Sequence, residues 1–338
     1  MVKQVKLGNL NIGQGFKPVF ICEIGINHQG SFEKALDMVD AAVEAGADIV
    51  KFQHHLPEFE MTGNHGWQDL MKQCALTVEQ LDKIKDYVEK EGKEFLCTPF
   101  CIEAAEDLDI IGVKGFKTGS GECNNIPFLE SVAEYDKPIL LSTGMTSRDE
   151  LMATLDSVLK INNKVILLNC TSTYPALSKE ARLKRIEWLY STFNLSVGQS
   201  DHTPTISTAL GSVARGAVCI EKHMTLNRSW EGPDQAASIL PYEFKKMVEM
   251  GLEIWEGMQM CIEADMGVLA REMPVKEIAN HSVIAVVPIR EGQDLSIGNV
   301  TTMRPGTGIP AGHLKKVLGM VAVRDIDAGE IISYNDIA

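Results

Sequence analysis

Two histidines end two consecutive strand-like segments of the chain. His202 lies in "SVGQSDHTPT" (196–205) and His223 lies in "VCIEKHMT" (218–225), and each segment begins with apolar residues. Imidazoles from two neighbouring strands suit a divalent transition metal that keeps coordination positions open for substrate and water. No third strong protein ligand is evident. A single strand-end histidine is more often a hydrogen-bonded structural group, so a metal site depends on what the other strand ends contribute.

Polar side chains follow strand-like runs elsewhere in the chain as well. Most of these runs are almost continuously apolar, as expected for strands buried on both faces. The eight runs are residues 18–25, 48–53, 94–99, 115–120, 138–143, 165–171, 195–200 and 217–223. The polar residues at or near their ends include Glu23, Lys51, Thr98, Lys117, Ser120, Glu122, Ser142, Ser172, Tyr174, Ser200, Asp201, His202, Glu221 and His223. A strand-end lysine can extend to solvent and a glutamate can cap a helix, but together these groups predict a ligand site.

Helical patterns alternate with the strand-like runs. Ser31 is placed to cap one helix, Thr77 with Gln80 forms a capping box for another, and a third begins at Thr146 or Ser147. Eight strand–helix repeats within about 200–250 residues predict an α/β fold, a (β/α)8 TIM barrel. A doubly wound sheet is the rival, but it would carry a glycine-rich phosphate loop after its first strand. In the barrel, the polar strand ends would all meet at one mouth.

The segment between Gln53 and Cys74 is an insertion with turn residues and no long periodic run. Long loops at barrel mouths are often lids, but the sequence does not assign a role to this one. Its histidines His54, His55 and His65 are interpreted as solvated loop residues.

The chain carries a formal net charge of −14. Such a protein repels nucleic acid and anionic membranes, so neither is an expected partner. An anionic substrate would need a local basic pocket. Lys51 and Lys117, at two strand ends, are therefore candidates to hold a phosphate or carboxylate.

Other features bear on the location of the protein. We expect it in the cytoplasm, because the N-terminal "MVKQVKLGNLNIGQG" lacks a signal-peptide core and no run of 18 apolar residues occurs. The eight cysteines sit mostly in apolar runs and are predicted to be buried, reduced thiols.

The pattern changes toward the C-terminus. Residues 281–338 contain two similar blocks, "VIAVVPIREGQDLSIGNV" and "MVAVRDIDAGEIISYNDI", which predict a small pseudo-symmetric β module. Residues 262–280 are interpreted as a linker, and residues 1–261 as the catalytic barrel with an N-terminal cap.

The motifs, taken together and in order, resemble those of the sialic acid synthases, also called N-acetylneuraminate or nonulosonate synthases. They are "ICEIGINHQG", "KFQ", "TPF", "KTGSGECNN", "LSTGM", "CTSTYP", "GQSDHT", "EKHMTL", "GPDQAAS" and "RPGTGI". The resemblance covers residues from about 18 to 338 and implies a (β/α)8 barrel followed by an antifreeze-like (SAF) domain. It also implies an enzyme that condenses phosphoenolpyruvate with an open-chain N-acylated mannose-type sugar and releases phosphate.

The resemblance assigns roles residue by residue. His202 and His223 match metal ligands, for Mn²⁺ or Mg²⁺. Phosphoenolpyruvate-binding positions match Lys51, Thr98, Lys117, Ser120, Ser172 and Ser200, although some members have Asn where this chain has Ser172. Sugar-side contacts match Glu23, Tyr174 and Asp234, and Glu23 and Tyr174 are predicted to be catalytic together with Glu122, which matches a carboxylate assigned to the chemistry. Arg304 matches an arginine that reaches from the SAF domain of one subunit into the partner's site, which implies a domain-swapped homodimer.

Three alternatives to an N-acetylmannosamine-using enzyme stay open from the sequence. The first is a legionaminate or pseudaminate synthase acting on a diacetamido-trideoxyhexose. The second is a phosphoenolpyruvate-dependent synthase of a phosphorylated aldose, for which no extra arginine cluster is visible. The third is a non-catalytic carbohydrate- or ice-binding protein, which the polar strand ends disfavour.

Overall fold

The structure is a computed structural model that describes residues 4–63, 66–259 and 267–338. Its contacts divide the chain into two compact units, Met1–Gln259 and Met260–Ala338. Each unit is described by itself.

The first unit is built on a closed barrel of eight parallel strands. A hairpin of β1 (Val5–Leu7) and β2 (Leu10–Ile12) precedes it. The barrel strands are β3 (Val19–Gly25), β4 (Ile49–His54), β5 (Glu94–Pro99), β6 (Phe116–Thr118), β7 (Ile139–Ser142), β8 (Val165–Cys170), β9 (Val197–Asp201) and β10 (Cys219–His223). They pair in sequence order, and β10 pairs with β3 to close the barrel. The predicted (β/α)8 barrel is confirmed.

Helices follow the barrel strands, and most of them pack against the outer faces of the strands. They are α1 (Phe32–Glu44), α2 (Pro57–Glu60), α3 (Gly66–Cys74), α4 (Val78–Lys90), α5 (Ile102–Ile110), α6 (Ile126–Glu134), α7 (Arg148–Ile161), α8 (Lys184–Phe193), α9 (Ser207–Ala214) and α10 (Pro241–Gly257). The Ser31 hydroxyl accepts a hydrogen bond from Lys34 N (3.2 Å), and Thr77 forms the predicted capping box with Gln80. Ser147, not Thr146, begins α7 through a second capping box. Among the described residues, no helix has the length and apolar character needed to cross a lipid bilayer.

The barrel interior has an apolar lower half. Inward side chains of the strands pack there against three residues of the N-terminal hairpin, Val5, Leu7 and Ile12. The barrel residues in this layer are Val19, Ile21, Ile49, Leu96, Leu140, Ile166, Leu168, Val218 and Cys219. Because alternate residues of a strand face the same side, the next inward positions toward the strand ends form a separate upper layer, and these are polar.

The insertion after β4 differs from the expectation. It contains two helices, α2 and α3, and the interpretation of its histidines as solvated is wrong for two of them: His54 is 1% exposed and His55 is 6% exposed. His54 ends β4 and contacts Asp107 (2.8 Å), and His55 contacts Glu60 (3.0 Å). These partners compensate the burial of the imidazoles. His65 lies outside the described residues.

The seven cysteines of the described residues are buried and unpaired. This agrees with the predicted buried thiols, and Cys261 lies outside the described residues.

The second unit has its own small core. Strands β11 (Ser282–Ala285) and β12 (Val300–Met303) form an antiparallel pair. Isolated β-bridges, such as the one between Ile289 and Ile326, extend the β structure of this unit. Its helices are α11 (Met273–Ala279) and α12 (Leu314–Val317). The former lies in the segment interpreted as a linker and joins this unit, because Glu277 O accepts a hydrogen bond from Gly306 N (2.7 Å).

Candidate active site

A cavity of about 280 Å³ opens at the C-terminal ends of the barrel strands. The residues that line it are Glu23, Lys51, Gln53, Thr98, Phe100, Lys117, Gly119, Ser120, Gly121, Glu122, Met145, Cys170, Ser172, Tyr174, His202, Glu221 and His223. Ten of the residues that the sequence predicts for the site are in this set. Two more lie directly beside it, since Ser200 Oγ donates to Glu221 (2.7 Å) and Asp234 Oδ2 is 3.6 Å from His223 Nδ1. Arg304 belongs to the second unit, where its Nε donates to the Ala279 carbonyl (2.9 Å).

Two buried lysines meet two buried carboxylates at the base of the cavity. Lys51 Nζ is in contact with Glu23 Oε2, donates to Thr98 Oγ1 (3.0 Å) and lies 3.6 Å from Glu221 Oε2. Lys117 Nζ lies 3.6 Å from the other oxygen of Glu221. Lys51 and Glu23 are each only 1% exposed. Water is therefore largely excluded from around these charges, which strengthens their effect on one another and on a bound anion.

The two carboxylates differ in their protonation. Burial raises the pKa of Glu23 to about 7, although Lys51 opposes this, and the negative charge of Glu221 adds to the rise. Burial would also raise the pKa of Glu221, but Lys117 and Lys51 hold it well below its usual range. Burial alone would lower the pKa of Lys51, but Glu221 and Glu23 raise it. The two ammonium groups thus face one firmly ionised carboxylate, and this leaves the cavity receptive to an anion.

Hydroxyl groups converge beside Lys117. Ser120 Oγ accepts a hydrogen bond from Gly144 N (3.2 Å). A Cβ added to Gly144 would lie 2.5 Å from Ser172 Oγ and 2.6 Å from Ser120 Oγ, so only glycine lets both hydroxyls approach the backbone here. One ammonium group and two hydroxyls form a cradle that suits a phosphate.

The two histidines of β9 and β10 are neighbours, with ring centroids 5.3 Å apart. The exposed Tyr174 ring packs on His202 (4.1 Å between centroids) and meets His223 edge-on (5.9 Å). His202 Nδ1 donates to Thr171 O (2.8 Å), so Nε2 is the ring nitrogen left to bind a ligand. Burial of the His223 ring lowers its pKa well below the ordinary value, so this imidazole is neutral.

These histidines fit a divalent metal with open coordination positions. His223 Nδ1 is buried without a hydrogen-bond partner among the described residues. A neutral imidazole and an oriented tautomer are what metal ligation requires. The described residues contain no group of three or more His, Cys, Asp or Glu side chains arranged to hold a metal. Substrate and water would therefore have to complete the coordination sphere.

Glu122 faces the cavity from the loop after β6. Its Oε2 is buried and has no hydrogen-bond partner within the described parts of the chain. Burial raises the pKa of this carboxyl, although Lys117 opposes the effect. A Cβ at Gly119 would collide with Oε2, so a glycine is needed for Glu122 to take this position. An unpaired carboxyl beside a cationic cavity can accept a proton or stabilise a developing positive charge.

The cavity lining also includes two strand-end residues, Glu221 and Gln53, to which the interpretation of the sequence gave no individual role. Glu221, a strand-end residue, lies between the two lysines, and Gln53 Nε2 donates to Glu23 Oε1 (2.9 Å). The sequence could have indicated both residues. Glu221 stands two positions before His223 on β10, and Gln53 stands two positions after Lys51 on β4. Residues at that spacing face the same side of a strand.

Comparison with known proteins gives a consistent picture. The family model described as "NeuB family" matches residues 38–261, and the one described as "SAF domain" matches residues 280–338. An uncharacterized protein of Methanocaldococcus jannaschii is 36% identical, with 99% of each chain covered. The N,N'-diacetyllegionaminic acid synthase of Campylobacter jejuni is 34% identical, covering 94% of this chain and 99% of that protein.

A solved structure is also similar. The crystal structure of N-acetylneuraminic acid (sialic acid) synthetase from Leptospira borgpetersenii, in complex with citrate, has a TM-score of 0.77 and 32% identity. The match covers 81% of this chain and 95% of that chain.

Proposed function

This chain belongs to the NeuB family and ends in a SAF domain, and from this membership we propose that it is a nonulosonic acid synthase that joins phosphoenolpyruvate to an open-chain N-acylated mannose-type sugar. The observation that carries the proposal is the buried pair of lysines, Lys51 and Lys117, around Glu221 at the barrel mouth. Two buried ammonium groups beside unpaired polar atoms in an open cavity are typical of an anion-binding site.

Phosphoenolpyruvate supplies the anion for which this cavity is suited. We assign its phosphate to Lys117, Ser120 and Ser172, which form the cradle next to Gly144. We assign its carboxylate to Lys51 with Thr98, whose hydroxyl Lys51 contacts. Ser200, which donates to Glu221, completes this side of the site by holding that carboxylate between the lysines.

We further propose that His202 and His223 hold one divalent metal, Mn²⁺ or Mg²⁺. When bound, such an ion would polarise the aldehyde oxygen of the open-chain sugar. Thr171 orients the His202 ring by accepting its Nδ1 proton, and the buried position of His223 keeps its ring neutral and able to bind a metal.

The chain's own residues account for the remaining steps. The C2–C3 π electrons of phosphoenolpyruvate form a new bond from C3 to the aldehyde carbon, and C2 becomes cation-like. The C=O π bond of the aldehyde opens at the same time, and its oxygen takes up a proton from solvent to become a hydroxyl. Glu122 stabilises that centre and accepts a proton from the water that attacks it. The C2–O bond to phosphate then breaks, and inorganic phosphate leaves with the bonding electrons from the cradle. Glu23, Tyr174 and Asp234 bind the sugar hydroxyls on the histidine side of the cavity.

For the sugar we propose N-acetylmannosamine, which would give N-acetylneuraminate, and the similarity to the Leptospira sialic acid synthetase supports this choice. A diacetamido-trideoxyhexose, giving legionaminate or pseudaminate, is the second candidate, and the Campylobacter relative supports it. A phosphorylated aldose is disfavoured, because no arginine lines the cavity within the described part of the first unit. A purely carbohydrate-binding role is disfavoured by the unpaired buried groups of Glu122 and His223.

The working unit we propose is a cytoplasmic, domain-swapped homodimer in which Arg304 contacts the acyl group of the sugar in the partner's barrel. Mixing an Arg304→Ala chain with a His202→Ala chain tests this. In a swapped dimer, random mixing restores one intact site in mixed dimers, so activity approaches about a quarter of the wild-type level per chain. If the module acts on its own barrel, every site keeps one lesion and mixing restores nothing.

The direct test of the function is phosphate release from phosphoenolpyruvate with Mn²⁺ present. Each sugar of a panel is added in turn: N-acetylmannosamine, diacetamido-trideoxyhexoses and phosphorylated aldoses. We expect release only with an N-acylated, unphosphorylated sugar, together with a 2-keto acid product. Release with a phosphorylated aldose alone, or with none of the sugars, would contradict the proposal.

A further inference from the structure

A chain of hydrogen bonds runs from the short helix α2 to the cavity. His55 Nδ1 lies 3.0 Å from Glu60 Oε2, and His55 Nε2 lies 3.0 Å from Gln53 Oε1. Gln53 Nε2 in turn donates to Glu23 Oε1 (2.9 Å). The second oxygen of Glu60 accepts a hydrogen bond from Leu56 N (2.6 Å), so this carboxylate is fixed at the far end of the chain.

The direction of these hydrogen bonds determines the charge of His55. A carboxylate can only accept hydrogen bonds, whereas an amide has one donor end and one acceptor end. Because Gln53 directs its NH2 group to Glu23, it presents its carbonyl oxygen to His55. Both ring nitrogens of His55 thus face acceptors, Glu60 on one side and Gln53 on the other. With the Gln53 amide in this orientation, both ring nitrogens are placed to donate, which only the imidazolium form can do.

The surroundings of His55 stabilise that charge. The ring stacks on Phe100 with centroids 4.3 Å apart and planes inclined by 12°, an arrangement in which an aromatic face attracts a cation. The side chains of His55 and Glu60 are equally buried, each 6% exposed, so the two opposite charges are shielded together from water. Phe100 also lines the cavity.

We propose that His55 is a positively charged positioning residue, which holds the Gln53 amide with its NH2 group toward Glu23 and so fixes the sugar side of the cavity. This inference rests on the proposed function, which places the sugar next to Glu23. Without His55, the amide of Gln53 is free to reverse and direct its oxygen at the Glu23 carboxylate. The resulting disorder of Gln53 and Glu23 weakens sugar binding but leaves the phosphoenolpyruvate cradle around Lys117 unchanged.

The neighbouring histidine provides a matched control. His54 is also buried and also contacts a carboxylate, Asp107 at 2.8 Å, but that contact lies outside the barrel. Adjacent residues of a strand face opposite sides. Loss of His54 removes the same kind of side chain without touching Gln53.

Substitutions of His55 test which of its two hydrogen bonds matters. His55→Phe should raise KM for the sugar about tenfold or more, the cost of losing a charge-assisted hydrogen bond, and change KM for phosphoenolpyruvate less than twofold. His55→Gln keeps a donor near the Nε2 position and should recover most of the sugar KM, whereas His55→Asn keeps only the donor toward Glu60 and should not. His54→Phe should leave both KM values within twofold. Equal changes in the two KM values, or equal behaviour of the Gln and Asn variants, would overturn the proposal.

NMR of the unmodified protein gives a second test that does not depend on a variant's folding. With ¹⁵N-labelled histidine, both ring nitrogens of His55 should show the chemical shifts of protonated nitrogens at pH 7 in the free protein. His55→Gln identifies the signals by their disappearance. A neutral ring at pH 7 would overturn the proposal. If the wild-type protein used no N-acylated sugar, the proposed function would fail, while this measurement would still decide the charge of His55.

Discussion

Strands β9 and β10 carry a buried lysine–carboxylate pair on their outer face and border another on their inner face. On the outer face, Lys222 pairs with Asp201. On the inner face, Glu221 of β10 faces Lys117 of β6. Both pairs consist of a buried lysine and a buried carboxylate. Because Glu221 and Lys222 are adjacent in β10, they face opposite sides of the barrel wall, and the two pairs differ in that respect.

The outer pair is complete. Lys222 Nζ donates to Asp201 Oδ2 (2.9 Å) and to the Thr203 carbonyl. The same Asp201 oxygen accepts from Thr203 Oγ1 (3.1 Å) and Thr208 Oγ1 (2.8 Å). Good geometry and full hydrogen bonding are what a buried ion pair needs in order to be tolerated in a folded core.

The inner pair is incomplete. Lys117 Nζ lies 3.6 Å from Glu221, too far for a hydrogen bond, and Glu221 Oε2 has no hydrogen-bond partner in the described residues. The desolvation of Lys117 and Glu221 is therefore only partly compensated by hydrogen bonds within the cavity. The difference teaches that completeness of hydrogen bonding, and not the presence of a buried charge, separates a structural pair from a pair that is ready to bind a ligand.

The largest effect should come from the proposed metal ligands of the inner face. His223→Ala should lower kcat/KM at least about a thousandfold, since a bound metal supplies several kcal/mol of charge stabilisation. The melting temperature should change little, because His223 Nδ1 makes no hydrogen bond that would be lost. Elemental analysis should find less than one Mn²⁺ per chain after dialysis. Normal turnover and metal content in this variant would refute the assignment.

The next largest effect concerns the stability that the outer pair provides. Lys222→Met leaves Asp201 buried without its cation and should lower the free energy of unfolding by about 3 kcal/mol or more. Chemical denaturation measures this. Both KM values should stay close to the wild-type values at a temperature where the variant is folded. A rise in KM for phosphoenolpyruvate without loss of stability would show that the outer pair, too, belongs to the active site.

The same substitution on the inner face should have the opposite profile. Lys117→Met, or Lys51→Met, should raise KM for phosphoenolpyruvate about tenfold to a hundredfold, since each removes a charged partner of the anion, and should raise KM for the sugar less. Loss of stability should be smaller than for Lys222→Met. Steady-state kinetics with each substrate varied separately provides the measurement, and equal effects on both KM values would indicate a structural role for the lysine.

The smallest effect is a pH dependence of stability from Glu23. Its pKa in the folded protein, about 7, lies above the ordinary value of 4.5, so the folded state binds this proton more tightly than the unfolded state. The stabilisation is fully present below pH 4.5 and is lost as the pH rises through 7. Between pH 5 and 8, metal-free wild type should therefore lose roughly 2–3 kcal/mol of unfolding free energy relative to Glu23→Gln. A constant difference over this range would contradict the assigned shift.

Much of this architecture could be predicted because its signals are local. Apolar runs buried on both faces predicted the barrel strands, and the hydroxyls of Ser31 and Thr77 predicted where two helices begin. For a third helix the sequence left Thr146 and Ser147 open, and the structure shows Ser147. The insertion after β4 was harder, because α3 is only nine residues long and too short for a clear periodic pattern. The burial of His54 and His55 depends on their partners Asp107 and Glu60. Asp107 lies 53 residues from His54, so no local pattern in the sequence indicates this contact.

The sequence by itself determined which residues share a face within each strand, since that follows from an alternation with a period of two. It could thus group Glu221 with His223 and separate both from Lys222. Only the tertiary structure decided that the first two point into the cavity and the last toward the helices, because closing the barrel chooses the inner face for all strands at once. Only that closure brings Lys51 and Lys117, which lie far from Glu221 in the chain, each to within 3.6 Å of its carboxylate.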